Sequence, residues 1–145
     1  MSAIGDLLDV NVWLAYTIDG HPLHAAALDA WGSLRRPAFC RVTQLGWLRL
    51  VCNPKVMGAA VLTPSAAWTA YAGLESGGEV CYVDEPAGLV VALEAFVRGA
   101  QAARDLWTDA YLAAFAKTAG MRVVTFDGGF RKFKGVDCLI LTSGA

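Results

Sequence analysis

The stretch GDLLDVNVWLAY, residues 5–16, decides the fold. Residues 6–10 are short and apolar and predict a buried strand, after which Asn11 is a suitable N-cap for a helix over residues 12–16. Asp9 therefore lies near the carboxyl end of a strand with an apolar residue on each side. An unpaired carboxylate in such surroundings is expensive, which favours a functional role for Asp9.

The rest of the chain repeats this alternation of strand and helix. Further strands are predicted at residues 37–40, 80–83, 122–126 and 138–141. Helices are predicted over residues 21–34, from a Thr43 cap to Asn53, from Thr63 to Gly77, over residues 86–103, and from a Thr108 cap to residue 118. Alternating elements of this kind form a mainly parallel sheet with helices on both faces. We expect a single α/β domain over residues 1–145.

The composition bears on whether the domain can form a core and on where in the cell it is located. The 145 residues are 56% hydrophobic with a mean hydropathy of +0.44, which is ample material for a core. Asp9 and Glu94 interrupt the longest apolar runs, so we expect no membrane span, and no export signal is evident at the N-terminus. The four cysteines form no C-x-x-C pair and are expected to be buried free thiols. A cytoplasmic protein is predicted.

Three acids are candidates for one site. Ligands of open α/β sheets bind at the carboxyl ends of the strands, where Asp9 and Asp127 each end a predicted strand and Asp109 opens a helix. Their carboxylates would repel one another unless a cation neutralised them, and hard oxygen ligands favour Mg²⁺ or Mn²⁺. Taken singly, Asp109 could instead favour the helix dipole and Asp127 could be only a turn residue.

Four blocks of sequence carry a family resemblance: LLDVNVWLA, TQLGWLRLVCNP, TDAYLAAFAKTAG and VVTFDGGF. In this order they resemble the PIN-domain family, and within it the VapC-like toxins of bacterial toxin-antitoxin pairs. The resemblance implies a three-layer α/β/α sandwich and a Mg²⁺-dependent endoribonuclease whose attacking water leaves a 5′-phosphate. It also implies inhibition by a cognate antitoxin protein, RNA as substrate and a homodimer. The family's acids fall on Asp9, Asp109 and Asp127.

The chain departs from the family at a fourth acid. A glutamate is usual early in the helix after the second strand, and the matching residue here is Gln44. Gln44 can still hydrogen-bond a metal-bound water, but the site loses one negative charge and should hold Mg²⁺ less tightly. Asp105 would compensate only if its helix extended backward past the Thr108 cap, so we expect Asp105 to be exposed.

Several other residues are weaker candidates. Asn11, Thr43 and Thr125 could support the metal shell, although Asn11 and Thr43 could also serve only as helix caps. The candidates for contacts with RNA phosphate are Arg41, Arg49, Arg131 and Lys132. Each of these cations could instead merely balance nearby acids. His21 and His24 lack further zinc-like ligands and are expected to be structural.

Two other functions remain open from the sequence. A non-catalytic PIN-like module that binds RNA or an antitoxin is compatible with the missing charge at Gln44. An aspartyl phosphotransfer enzyme would use Asp9 as nucleophile, but such enzymes commonly want a second acid two residues later, where this chain has Asn11. No phosphate-binding glycine motif supports a nucleotide site.

Overall fold

A five-stranded, wholly parallel sheet forms the centre of the computed structural model, which describes residues 4–143. Its strands are β1 Asp6–Leu8, β2 Pro37–Phe39, β3 Cys81–Tyr82, β4 Arg122–Thr125 and β5 Cys138–Ile140. They are arranged in the order β3-β2-β1-β4-β5, with every neighbouring pair parallel. The predicted parallel sheet is confirmed, and β1 lies in its middle.

Helices cover both faces of the sheet and complete three layers. They are α1 Val10–Thr17, α2 His24–Trp31, α3 Arg41–Val51, α4 Pro54–Met57, α5 Pro64–Ser76, α6 Leu89–Val97 and α7 Leu106–Ala119. Successive strand residues point to opposite faces. Leu7 and Val123 pack with α6 and α7, while Leu8 and Val124 pack with α1, α3 and α5. Each face of the sheet thus has its own apolar core.

The boundaries at the ends of β1 and β2 differ from those predicted. β1 ends at Leu8, and Asp9 caps α1 by accepting a hydrogen bond from the Val10 amide at 2.8 Å. Asn11 as N-cap was therefore wrong, because the strand stops pairing two residues earlier than expected. Thr43 as N-cap was also wrong, since α3 begins at Arg41 and Cys40 holds the cap position.

The segment between α6 and α7 also differs from the prediction. A helix through residue 103 was expected, but α6 ends at Val97, where Arg98 adopts an extended backbone and Gly99 a positive φ of 78°. α7 then begins at Leu106, so the predicted Thr108 cap was wrong. Asp105 holds the N-cap position instead, without a capping hydrogen bond from its side chain.

Other expectations concern the cysteines, the histidines and the membrane. All four cysteines are free thiols, as predicted, although only Cys40 is fully buried. His21 and His24 both bond local backbone atoms, which agrees with a structural role. Within residues 4–143, no helix combines the length and apolarity that crossing a bilayer requires.

A buried ion pair joins the two central strands at their amino ends. Asp6 is 1% exposed, and its carboxylate accepts hydrogen bonds from Arg122 Nε and Nη2, both at 2.9 Å. The two residues are direct partners in the β1–β4 register. The same carboxylate accepts the Arg35 amide at 2.7 Å. Asp6 is therefore fully engaged at the opposite edge of the sheet from Asp9.

A close approach between α1 and α3 fixes the helix that follows Asp9. A Cβ placed on Gly46 would lie 2.8 Å from Val10 Cγ2, closer than real Cβ contacts occur. Val10 is the residue directly after Asp9, and its branched side chain has few rotamers to move into. The absence of a side chain at position 46 therefore lets α1 sit where it does.

We expect Gly46→Ala to lower the free energy of unfolding by about 1–3 kcal/mol through overpacking. Urea unfolding followed by circular dichroism measures this. Gly32→Ala is the matched control, because a Cβ there would meet nothing within 4 Å and its φ is −64°. Equal stabilities of the two variants would contradict the proposed close contact.

Candidate functional site

The candidate site lies at the carboxyl ends of the two central strands. The chain leaves β1 towards β2 on one side of the sheet and later returns to β4 on the other side. Such a switch in strand order opens a crevice between the two strands, which is where open α/β sheets bind ligands. Asp9 follows β1, Asp127 follows β4, and Asp109 lies in the first turn of α7.

The hydroxyl of Thr125 ties this crevice together. Thr125 is fully buried at the end of β4 and donates to Asp9 Oδ2 at 2.8 Å. Thr125 Oγ1 also accepts hydrogen bonds from Asn11 Nδ2 at 3.3 Å and from the Asp127 backbone amide at 3.0 Å. Asn11 Oδ1 in turn accepts the Phe126 amide at 3.3 Å. Thr125 and Asn11 thus position Asp9 and the Asp127 loop relative to each other.

Burial and neighbouring carboxylates raise the pKa of two acids of the site. Burial, followed by the charges of Asp9, Asp127 and Asp105, raises the pKa of Asp109 to about 6. Burial also raises the pKa of Asp9, although its hydrogen bonds from Thr125 and Val10 oppose this. Lys132 is the positive charge that lowers the pKa of Asp109. The crevice therefore concentrates negative charge in a partly desolvated place.

These groups have the chemistry of a divalent-cation site. The available donors are carboxylate, hydroxyl and amide oxygens, the ligands that Mg²⁺ and Mn²⁺ prefer, and a cation would relieve the repulsion that raises the pKa of Asp109. Among residues 4–143, however, no three His, Cys, Asp or Glu side chains are grouped closely enough to hold an ion between them. Binding by all three carboxylates therefore requires side-chain rotation or bridging waters.

Gln44 lies at the same edge of the sheet, in the first turn of α3. Its side chain is 4% exposed, and its Oε1 accepts a hydrogen bond from Arg41 Nη1. The Arg41 guanidinium also lies over the Tyr82 ring, 4.9 Å from its centroid. Sequence reasoning did not pair Arg41 with Gln44. Their i, i+3 spacing on a helix was the available signal.

The remaining candidate residues differ in their distance from the acidic crevice. Thr43 does not point to the crevice, because its hydroxyl accepts the Cys40 amide at 3.0 Å and bonds the Cys40 carbonyl at 3.2 Å. Asp105 is exposed, as predicted, yet its charge acts on both Asp9 and Asp109. Arg49 is exposed eight residues along α3 from Arg41, about 12 Å further from the site.

The two cations after Asp127 lie close to the crevice. Lys132 acts on Asp109, and the Arg131 guanidinium would be 3.4 Å from a Cβ placed on Gly128. Both are exposed residues of the short 3-10 helix Gly128–Lys132. Asp127 itself accepts the Gly129 amide at 2.8 Å, which is the turn contact that the sequence allowed as an alternative role. That bond uses only one oxygen of the carboxylate.

We expect Asp109→Asn to stabilise the metal-free protein at neutral pH. The Asp109 pKa of about 6 exceeds the unfolded value of about 3.9. Between these two pH values the Asp109 carboxyl is protonated in the folded protein but ionised in the unfolded chain. The free energy of unfolding therefore falls as the pH rises through this range. Urea unfolding in chelator should show that Asp109→Asn raises the free energy of unfolding by about 1 kcal/mol at about pH 7, a value reduced to allow for the half-exposed side chain. At about pH 4 the variant and the parent should be equally stable.

Added Mg²⁺ provides the second measurement of this prediction. It should stabilise the parent protein more than Asp109→Asn, because only the parent offers the charged ligand. A variant that is no more stable than the parent in chelator at neutral pH would contradict the assigned repulsion.

Comparison with known proteins supports these observations. Residues 7–136 match the model of the PIN domain family. The chain is 39% identical over 142 residues to Ribonuclease VapC41 of Mycobacterium tuberculosis, an alignment that covers 93% of this chain and 97% of that protein.

Two solved structures show the same fold. The crystal structure of Mycobacterium tuberculosis VapC20, described as a sarcin-ricin loop cleaving toxin, superposes with a TM-score of 0.68 at 21% identity and covers 94% of this chain and 99% of that one. A toxin-antitoxin complex from Klebsiella pneumoniae gives a TM-score of 0.60 at 14% identity, covering 96% of this chain and 98% of the other. At these identities the likeness concerns the fold.

Proposed function

Because this chain belongs to the PIN-domain family, we propose that it is a divalent-metal-dependent endoribonuclease of a toxin-antitoxin pair. The observation that carries the proposal is the convergence of Asp9, Asp109 and Asp127 at the switch point between β1 and β4, where the charges of Asp9 and Asp127 add to burial in raising the pKa of Asp109. The 39% identity to a protein named as a ribonuclease supports the choice of RNA as substrate.

The three aspartates are proposed to hold Mg²⁺ or Mn²⁺. The ion would lower the pKa of a bound water and stabilise charge on the leaving oxygen of the phosphodiester. Asp9 is held ready by Thr125 and by the Val10 amide, so its carboxylate needs little reorganisation. Within residues 4–143, the Asp109 carboxylate forms no hydrogen bond and the Asp127 carboxylate uses one oxygen to accept the Gly129 amide, so both can turn towards the ion.

Neighbouring residues have supporting roles in this proposal. Asn11 orients Thr125, which in turn orients Asp9. Lys132 lies near enough to act on Asp109 and can bind a phosphate oxygen of the RNA. Gln44 stands where the fourth acid would be and offers a neutral amide instead of a negative charge. Its Oε1 accepts a hydrogen bond from Arg41. The proposed site thus has three acids and a compensating cation.

Partners follow from the same family. We propose a cognate antitoxin protein as inhibitor and a second copy of this chain as a dimer partner. The fold likeness to the toxin-antitoxin complex from Klebsiella pneumoniae supports an antitoxin of that general kind. Exposed apolar side chains, among them Trp68 at 55% and Trp107 at 65%, offer material for protein contacts.

Asp9→Asn should abolish metal-dependent cleavage of RNA. The loss should exceed the roughly 10–100-fold effect of changing outer-shell partners, because a direct ligand and its charge are removed. Cleavage of ribosomal RNA and of sarcin-ricin-loop oligonucleotides is measured on gels with Mg²⁺, Mn²⁺ or chelator. A 5′-phosphate on the downstream product identifies water as the nucleophile.

Asp137→Asn is the matched control for this experiment. Asp137 is exposed just before β5, at the opposite edge of the sheet. Cleavage by Asp9→Asn at the rate of this control would refute the proposed site. Metal-dependent RNA binding without any cleavage by the parent protein would favour a non-catalytic module instead.

Gln44→Glu should restore the fourth negative charge and strengthen metal binding. We expect the Mg²⁺ concentration for half-maximal cleavage to fall by up to about 10-fold. The effect is limited because Arg41 already lies within hydrogen-bond distance of this side chain and would pair with the new carboxylate. Gln44→Met is the control for size without charge. An unchanged Mg²⁺ requirement in Gln44→Glu would show that position 44 does not act on the metal.

A further inference from the structure

A cleft of about 900 Å³ opens beside the first turn of α7, the helix that carries Asp109. One wall is the segment between α6 and α7, and the other is formed by residues 132–134. Leu106, the first residue of α7, lines the cleft three residues before Asp109. Lys132 lines it as well and also lowers the pKa of Asp109. The cleft and the acidic crevice therefore meet at α7 and Lys132.

The cleft is basic, in contrast to the crevice next to it. Arg98, Lys132 and Lys134 line it, and none of its lining residues, all of them in the described part of the chain, is Asp or Glu. Arg98 forms an ion pair with Glu94 at 2.7 Å, but both side chains are well exposed. Exposed pairs of this kind contribute little free energy, so Arg98 can exchange Glu94 for a phosphate. The charge of the cleft suits a polyanion.

Aromatic rings form part of the cleft between these cations. Phe96 and Phe133 both line it, with ring centroids 5.3 Å apart and planes at 71°. Lys132 Nζ lies 5.2 Å from the centroid of Phe133. Phe133 is only 5% exposed, whereas Phe96 is half-buried and is the ring that a base can reach. A positively charged groove with an accessible aromatic ring is an arrangement by which proteins bind single-stranded nucleic acid, since phosphates pair with cations and bases stack on rings.

Short side chains keep the cleft open. Residues 99–103, with the sequence GAQAA, are exposed and form most of one wall. α6 ends at Val97, and Gly99 then has a φ of 78°, which a helix cannot contain. The alanines that follow leave the volume unfilled, although they would themselves favour a helix.

We propose that this basic cleft binds the single-stranded RNA that adjoins the cleaved phosphodiester, with Arg98 and Lys134 contacting its phosphates and Phe96 stacking against a base. The proposal rests on the proposed ribonuclease function and assigns the path by which the strand leaves the three aspartates. The three aspartates repel the phosphates of the RNA, and the cations of the cleft would attract them next to that acidic centre.

The test measures RNA binding without cleavage. A fluorescein-labelled single-stranded oligoribonucleotide of mixed sequence is titrated into Asp9→Asn protein in Mg²⁺ at salt concentrations from about 50 to about 200 mM. Arg98→Gln with Lys134→Gln removes two phosphate contacts. The slope of log affinity against log salt should become shallower by about 1.4, and affinity at low salt should fall about 10-fold. Phe96→Leu should weaken binding with little change in slope.

Arg35→Gln with Lys55→Gln is the charge-matched control. Both side chains are exposed. The backbone carbonyl of Arg35 accepts the Asp6 amide at the amino edge of the sheet, and Lys55 follows the end of α3. This control should keep the parental slope. Equal slopes in the cleft and control variants would overturn the proposal and leave the cleft to a protein partner, even if the parent protein cleaves RNA. A parent that neither binds nor cleaves RNA would overturn the proposed function together with the cleft.

Discussion

The pairing of β1 with β4 is the interaction on which the rest of the structure depends. Only three residue pairs form it, and they join parts of the chain separated by more than one hundred residues. Two polar contacts fix its register from opposite ends: Asp6 with Arg122 at the amino edge, and Asp9 with Thr125 at the carboxyl edge. A slip by one residue would exchange the faces of the strands and break both contacts.

The two faces of this strand pair serve two different cores. Leu7 and Val123 meet α6 and α7, whereas Leu8 and Val124 meet the helices on the other side. α7 therefore reaches the sheet through a different core from α1. Asp109 on α7 and Asp9 before α1 are brought together only because both cores pack on the same two strands. The site is a consequence of the three-layer architecture rather than of any local motif.

Sequence patterns predicted the layers well and the ends of the elements poorly. The alternation of apolar strands with helices is a local property, so the parallel sheet could be anticipated. Asp9 and Asn11 are both good N-cap residues, and it is Asp9 that caps α1, with the distant Thr125 donating a hydrogen bond to its carboxylate. Residues 99–103 favour a helix by composition, yet the positive φ of Gly99 turns them into the wall of a cleft. The contact from Thr125 acts between distant parts of the chain and has no signal in the local sequence, whereas Gly99 was an available local signal for the end of α6.

The candidate site was predictable to the same extent. Asp9, Asp109 and Asp127 follow from their places at strand and helix ends, but the role of Thr125 in joining Asp9 to the Asp127 loop requires knowledge of the β1–β4 register. The acids repel one another and lack a fourth carboxylate, since Gln44 is neutral and already bonded by Arg41. With net charge −1, the chain cannot attract a polyanion by its overall field. Attraction must come from local cations beside the acids, and Lys132 is the residue that belongs to both the acidic crevice and the basic cleft.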